Sequence, residues 1–553
     1  MLSAGSTEYI KSYSVKIKRI TKMKKLLYIV IFFFCLVGCK DDSADLSVNA
    51  DAFVSFSVTY KGEEIEATID KENKNILIPK VEYGQLITDV NYQLEDGVTI
   101  YPLPETFLGE WDIEEKVQVS FPNGASTAYT IVLTDVNFQI SVSPHSKEQE
   151  ILIVGTDIER TAGFLFQMKN SQEIIDWCFK DIPFNTCRVS YDKKQELTEG
   201  TQTMDFYDNH VKAMKMIKEA NPDIKFWATM KSDYNGYGGA NNLPDWICDN
   251  KPTTKFDTDK YADFLCDYLE YMHKQNLTIN YLSTAKEWTQ AVTVDRAIKI
   301  IEALKKKCES RNVPMPLITD PASWGLNQGA SFVKTVASKK KESLYYGFAT
   351  HNYGKFYPYE NFTTETKKIS KPAFDDESTY GFIGDAIGDT EETMKMGIER
   401  YINKMDMYKA GYQGELFFEP FSGAVEGKTR AIYCVKGTDG VRRIGYYTMK
   451  EFAFASIDKF FSNTKHSLVD ENVSSIAFVN DDEVSIVVTN LSKNEKKVSI
   501  ALDNTSDVYT SITQRSFNLD TPAEGVAPEV SLKKNRSEVV LPSLSLTFFT
   551  LKK

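Results

Sequence analysis

Two rhythms of apolar and polar positions divide this chain of 553 residues. Between about residues 50 and 136 the apolar positions come in short runs, "AFVSFSVTY", "ILIPK", "VNYQLEDGVTI", "KVQVSFPNG" and "AYTIVLTDV", separated by Gly, Asn and Asp. Strand-length runs with turn residues between them predict a small β-sandwich of immunoglobulin type. From about residue 150 the pattern becomes apolar run, loop, amphipathic segment, repeated. "ILIVGT", "TCRVSYD", "IKFWATMKS", "INYLSTAKE", "PLITDPASW", "YYGFATHNY", "PAFDDES" and "ELFFEPF" predict eight strands. Among the intervening segments, "NHVKAMKMIKEA", "DKYADFLCDYLEYMHKQ", "VDRAIKIIEALKKKCES" and "EETMKMGIERYINKMDMYKAG" place apolar residues at i, i+3 and i+4, the spacing of a helix with one buried face.

Eight strands alternating with helices predict a (β/α)8 TIM barrel. A doubly wound sheet is the competitor, but the Gly-rich phosphate turn expected after its first strand is missing from the sequence. After "GYYTMKEFAFASIDKFF" (Gly445–Phe461) the chain is β-rich again, which predicts a C-terminal β-sandwich. Single cores rarely grow past about 250–300 residues, so a multidomain chain is expected. The predicted division is residues 1–39 as an upstream extension and leader, 40–136 as the N-terminal Ig-like sandwich, 137–455 as the barrel and 456–553 as the C-terminal sandwich. Residues 137–143 are a candidate extra strand for that last sandwich.

The leader has its own signature. From Met23, the expected start, "MKKLLYIVIFFFCLVGCKDD" carries a basic pair at Lys24–Lys25, an apolar stretch from Leu26 to Val37, and then Cys39. The stretch is short for a membrane span of about 20 residues and fits a signal peptide; an inner-membrane anchor helix is the alternative. "LVGC" resembles the bacterial lipobox, which implies lipidation of Cys39, and Lys40-Asp41-Asp42 resembles the acidic export tag of surface lipoproteins in the Bacteroides group. The resemblance implies a protein lipid-anchored to the outer membrane and exposed at the cell surface.

A net charge of −12 argues against nucleic acid as a partner and against a basic membrane-binding surface. Beyond the leader the cysteines are Cys178, Cys187, Cys248, Cys266, Cys308 and Cys434, with no C-x-x-C and no Cys/His ladder, so no zinc site is expected. Cys178 and Cys187 are the nearest pair; disulfides and buried free thiols both fit the pattern.

In a TIM barrel the site lies at the C-terminal ends of the strands. The polar residues there are Arg188 and Asp192 on the second strand, Lys231 on the third, Glu287 on the fourth and Asp320 on the fifth. His351 and Asn352 end the sixth, Asp375-Asp376-Glu377 the seventh and Glu419 the eighth. Two glutamates facing one cleft are the machinery of glycosidic hydrolysis, one holding a proton for the leaving oxygen and the other attacking the anomeric carbon or activating water. Acidic loop residues are common around barrel mouths, so the pairing alone leaves both a catalytic pair and ordinary loop charges open.

The arrangement resembles the retaining hydrolases of clan A, with the acid/base after strand four and the nucleophile after strand seven. Within that clan the chain most resembles glycoside hydrolase family 30, over residues 138–553. "YLSTAKEW" stands where that family has Ser-Pro-Gln-Asn-Glu-Pro, and "AFDDESTYG" where it has a Thr-Glu-Tyr-Gly-like run. "CRVSYD", "FATHNYG", "GYYTMKEFAFASIDKFF" and "LPSLSLTFFTL" resemble further family stretches in the same order. The resemblance implies a retaining β-glycosidase acting on an extracellular oligo- or polysaccharide, with Glu287 as acid/base and Glu377 as nucleophile. The reaction needs only two carboxyl groups and water, so no cofactor and no metal are expected.

Arg188 is a candidate to hold Glu377 ionised or to form a barrel-floor ion pair, and His351 with Asn352 to contact substrate or Glu287, with a satisfied structural histidine as the alternative. Trp227, Trp288, Trp324 and Tyr353 are candidates to stack on sugar faces, and Tyr191 and Lys231 to contact substrate. The departures from the family are Lys286 where it has Asn, Trp288 where it has Pro, and "STYG" after Glu377, which leaves Asp376 as a reserve nucleophile. Lysine donates but cannot accept. Lys286 therefore implies either activity on a sugar with unusual chemistry at C2 or an acidic group, or a non-catalytic, glycan-binding surface lipoprotein built on a degenerate barrel.

Overall fold

The computed structural model describes residues 51–81, 87–107, 114–133, 138–231, 243–251, 253–287, 290–352, 358–379, 390–422, 432–434, 439–467 and 469–553. Residues 1–50, where the leader and Cys39 lipidation are expected, and the candidates Trp288 and Tyr353 lie outside the described residues. Two compact units are present, one ending at Val132 and the other holding Leu133–Lys553.

The first unit has two small sheets. One is ordered Glu63–Glu66, Phe53–Tyr60, Ile87–Leu94; the other is ordered Thr68–Asp70, Asn75–Ile78, Ser126–Leu133, Glu114–Ser120, Thr99–Tyr101. Phe53–Tyr60 and Glu63–Glu66 form a hairpin whose two loop residues, Lys61 and Gly62, both have positive φ (52° and 82°), the turn that matches strand twist. Phe53 meets Tyr129 of the other sheet at 5.1 Å between ring centroids, and Val58, Ile76, Val117 and Ile131 are buried with them.

The second unit opens with a parallel sheet, whose strands are β1 (Ile153–Asp157), β2 (Thr186–Tyr191), β3 (Lys225–Met230), β4 (Ile279–Leu282), β5 (Leu317–Ile318), β6 (Pro321–Ser323), β7 (Phe348–Thr350), β8 (Ala373–Thr379) and β9 (Gly414–Phe418). The hydrogen-bonded order is β5-β4-β3-β2-β1-β9-β8-β7-β6. The two ends of this sheet are therefore carried by neighbouring pieces of chain, and the first and last strands pair in its middle. Side-chain parity separates two cores. Ile153, Trp227, Tyr281, Ala349, Phe374 and Leu416 fill the inside of the curled sheet. Cys187, Val189, Tyr191, Phe226 and Ala228 face the helices on its outside.

Those helices fall where the 3.6-residue pattern predicts them, including Asp208–Ala220, Thr258–Lys274, Val294–Arg311 and Glu391–Ala410. The last begins with a capping box between Thr390 and Thr393 and ends on Gly411 at φ 106°, so both ends have the local chemistry that stops a helix. The five cysteines whose side chains are described, Cys178 and Cys187 among them, are buried and form no disulfide. Among the described residues no helix is long and apolar enough to cross a membrane.

The C-terminal β-rich region is two antiparallel-rich sheets. One is ordered Phe460–Ser462, Val473–Val479, Glu483–Asn490, Ser545–Lys552, Ser511–Phe517. The other is ordered Thr464–His466, Phe138–Val142, Lys496–Leu502, Arg536–Leu541. The segment ahead of the barrel thus lies inside the second sheet, parallel to Lys496–Leu502 and antiparallel to Thr464–His466.

Gly155 shows how closely the barrel strands approach. A Cβ there would sit 2.1 Å from the Thr186 carbonyl oxygen and 2.7 Å from Leu416 Cδ2. Gly155→Ala is therefore expected to destabilise the chain by about 3 kcal/mol. A urea midpoint close to wild type would refute this account of the β1–β2 contact.

Candidate active site

The site is organised around Arg188, which alternation on β2 turns into the barrel while Tyr191, three residues on, turns out. The guanidinium is fully buried. Its Nε donates to Thr229 Oγ1 at 3.0 Å. Nη1 donates to the Asp376 carbonyl at 2.6 Å and pairs with Asp157 Oδ2 at 2.9 Å. Nη2 pairs with Glu159 Oε2 at 2.9 Å and with Glu377 Oε1 at 2.5 Å. A buried charge is tolerated only when it is paired and hydrogen-bonded, and three strands besides β2 contribute to that here.

Lys286 supplies a second buried cation. Its Nζ is 2.5 Å from Glu159 Oε2 and 2.9 Å from Glu377 Oε1. Oε1 of Glu377 thus lies between an ammonium and a guanidinium, while Oε2 faces His351 Nε2 at 3.7 Å. The other ring nitrogen of His351 lies 3.3 Å from Asp376 Oδ1. Neighbouring residues of a strand normally point to opposite faces, yet Asp376 and Glu377 both face His351. The pairing of β8 with β9 explains it: the register shifts between Asp375 and Ser378, an irregularity that re-aims side chains. Burial pushes the His351 imidazole down, and Glu377 and Asp376 more than reverse this, raising it to about 9.

Glu287 stands a few residues beyond β4. Its φ is +54°, in the left-handed region. Its N–H donates to the Ala322 carbonyl at 2.6 Å and its own carbonyl accepts from Trp324 N–H at 3.3 Å, tying it to β6. The approach to it is fixed by Asp320, whose carboxylate accepts from Thr284 N–H (2.6 Å), Thr284 Oγ1 (2.8 Å) and Ala285 N–H (3.3 Å). Burial, and then the charge of Glu377, raise the pKa of Glu287; His351 and Lys286 oppose the shift. One oxygen of Glu287, one nitrogen of His351 and one oxygen of Glu377 all lie within 4.8 Å of one another. The same holds for oxygens of Asp157, Glu159 and Glu377. Either trio has the spacing to hold a metal ion, but the raised pKa of His351 favours its imidazolium form, which has no lone pair to give, and Arg188 and Lys286 already pair with carboxylates of the second cluster.

The structure therefore brings Arg188, Lys286, His351, Glu287 and Glu377 together. Trp324, 40% exposed, follows the β6 bridge to Glu287. Lys231 Nζ lies 3.9 Å from Asp192 Oδ2. Two expectations are corrected. Tyr191 does not face the site: it packs among the helices, its hydroxyl donating to the Ser283 carbonyl at 2.8 Å and lying 3.0 Å from the Tyr261 hydroxyl. Trp227 fills the barrel interior, with its indole N–H donating to Ser283 Oγ at 3.1 Å. Sequence reasoning missed Asp157 and Glu159, which share the inward parity of Ile153 at the end of β1. The signal was there in "IVGTDIE", where two carboxylates follow an apolar strand at spacing two.

A family model described as Domain of unknown function (DUF4971) matches residues 21–142. No curated protein matches the chain by sequence. Among solved structures, the catalytic domain of a family 30 xylanase C from Talaromyces cellulolyticus superposes with a TM-score of 0.59 at 15% identity, covering 75% of this chain and 100% of that one. A family 30 subfamily 8 xylanase from Clostridium acetobutylicum gives 0.58 at 14% identity, with 75% and 100% covered. An endo-β1,6-glucanase gives 0.56 at 14% identity, with 83% and 100% covered. The chain has the TIM-barrel-like fold of these glycoside hydrolases, with additional β-rich regions.

The buried charges predict how stability depends on pH. His351 is raised from 6.5 to about 9 in the native state, and burial raises Asp157 from 3.8 to about 8 despite Arg188. Both groups bind more protons folded than unfolded between pH 6.5 and 8, and His351 alone does so up to about 9. Each contribution is full below the group's unfolded pKa and lost as pH rises to the folded one, from 3.8 to about 8 for Asp157 and from 6.5 to about 9 for His351. The melting temperature should fall between pH 6.5 and 9, and less steeply in His351→Asn. A flat or rising profile in wild type would contradict the assigned charges.

Proposed function

We propose that this protein is a retaining β-glycosidase of the family 30 type, acting on an extracellular oligo- or polysaccharide. The observation that carries the reading is the pair Glu287 and Glu377, with oxygens within 4.8 Å in opposite electrostatic settings. Retention needs carboxyl groups about 5–5.5 Å apart, whereas inversion needs about 6.5–9.5 Å to admit a water.

The settings assign the roles. Glu377, held by Arg188 and Lys286 through Oε1 and facing His351 through Oε2, is the carboxylate that attacks the anomeric carbon. Glu287, its pKa raised, gives its proton to the leaving oxygen as that bond breaks. The glycosyl ester on Glu377 is then opened by water, whose proton returns to Glu287 while the ester oxygen leaves as carboxylate. Neutralising Glu377 by esterification removes one of the charges that hold the proton on Glu287, which suits that residue to act as base in the second step.

Within this reading Leu317–Ile318 and Pro321–Ser323 are one interrupted strand, so that eight strands make the (β/α)8 barrel of residues 137–455. Residues 456–553 with Phe138–Val142 are its companion sandwich, and 40–136 an immunoglobulin-like spacer. Cleavage before Cys39 and its lipidation anchor the protein to the outer membrane, facing outward.

The test is hydrolysis of a panel of β-aryl glycosides and plant, fungal and host polysaccharides by wild type, Glu287→Gln and Glu377→Gln. Cleavage with retained anomeric configuration, followed by proton NMR, is expected. Each variant should lose about 10²–10⁴-fold or more. Polysaccharide binding without cleavage by any of the three proteins would replace this reading with that of a non-catalytic glycan-binding protein.

A further inference from the structure

Lys286 and Glu159 form a contact that neither the barrel nor the carboxylate pair requires by itself. Glu159 is fully buried, and its Oε2 meets Lys286 Nζ at 2.5 Å and Arg188 Nη2 at 2.9 Å. Lys286 is nearly as deep, and its ammonium reaches Glu377 Oε1 at 2.9 Å. An ammonium at this depth with only Glu377 and a guanidinium beside it would leave two cations on one carboxylate. Glu159 supplies the second anion, so that Arg188 and Lys286 balance Glu159 and Glu377.

The wider surroundings are also charged. Asp157, Arg160, Glu377 and, through its backbone oxygen, the His210 ring (3.2 Å) adjoin Glu159, and Glu419 acts on Asp157. Glu287 is faced by Glu377, His351, Lys286 and Glu159. At Glu287 the last two act in opposite directions, Lys286 favouring loss of the proton and Glu159 favouring its retention.

We propose that Glu159 and Lys286 act as one positioning unit for the carboxylate pair: Lys286 fixes one oxygen of Glu377, Glu159 fixes Lys286, and their charges offset each other at Glu287. The inference rests on Glu287 and Glu377 being the catalytic pair. It makes Lys286 an internally compensated substitution, with its ammonium bound to protein carboxylates, and Glu159 a residue that acts through Lys286.

The experiment is a double-mutant cycle on the full chain with Lys286→Asn, Glu159→Gln and the double variant. Two quantities are read: kcat/KM against pH on the glycoside that wild type cleaves, and thermal unfolding at pH 6.5. The alkaline limb reports the proton on Glu287 in the free enzyme. It should move up by about one pH unit in Lys286→Asn, down by about one in Glu159→Gln, and back towards wild type in the double variant. Each single variant should unfold several degrees earlier, and the double variant by less than the sum. Glu159→Asp, which keeps the charge, should lower kcat/KM while leaving the limb in place, and it decides the case if Glu159→Gln does not fold. Shifts of one sign in the two single variants, or unfolding losses that simply add, overturn the proposal. A wild type that cleaves nothing defeats the catalytic reading instead, and additive unfolding losses would then reject the pair as a unit as well.

Discussion

A guanidinium removed from water needs an acceptor for its N–H groups, and the position of Arg188 turns that need into a constraint on half the barrel. From β2 it reaches Asp157 and Glu159 at the end of β1, Thr229 on β3, and Asp376 and Glu377 on β8. Removing any one acceptor would leave a buried cation under-paired, at a cost on the order of several kcal/mol. The charge cluster is expensive as a stabilising device, because apolar packing would fill the same space at lower desolvation cost. Its presence at the strand ends is better explained by what it does to Glu377.

Two glutamates with oxygens within 4.8 Å of each other stand in different surroundings. Glu377 is next to Arg188 and Lys286, whereas Glu287 is held through its backbone, with burial as the largest influence on its carboxyl. Asp320 matters here through the backbone: three hydrogen bonds from Thr284 and Ala285 set the path of the chain that delivers Glu287. The charged form of Glu377 then adds to the proton affinity of its neighbour, so each carboxyl helps to define the other's state.

Much of this was legible in the sequence, because the signals are periodic or local. The strand–helix alternation, the helix ends at Thr390 and Gly411, and the strand-end positions of Arg188, Glu287, His351 and Glu377 all follow from such signals. The errors have physical origins. Tyr191 was offered as a site residue although its odd spacing from Arg188 puts it on the other face of β2. Trp227 was judged by its nearness to a strand end, but it shares inward parity with the layer of apolar side chains below the site. Asp376 stayed in reserve because "STYG" follows Glu377 where the family has a shorter run, and the β8 irregularity, which two-residue periodicity cannot express, turns both Asp376 and Glu377 towards His351. The partner of Lys286 lies 127 residues away in sequence, a separation at which no local pattern operates.

The β-rich C-terminal region is tied to this chemistry through β8. Ser378 follows Glu377 and is held on the outer face by the buried Lys404 and Glu415, which pair with each other. Lys404 belongs to the helix Glu391–Ala410, and on that helix Tyr401 packs against Phe548 and Tyr408 against Phe478 of the C-terminal sheet. The strand carrying Glu377 is thus gripped by Arg188 and Lys286 from inside and by a helix backed by the sandwich from outside. Because Phe138–Val142 is paired into that region before the chain enters the barrel, its sheet is built from segments on both sides of the barrel sequence. In the mechanism proposed above the attacking carboxylate needs a support of this kind, since displacement by about 1 Å is enough to cost two orders of magnitude in rate. The sandwich is in this sense part of the site's geometry.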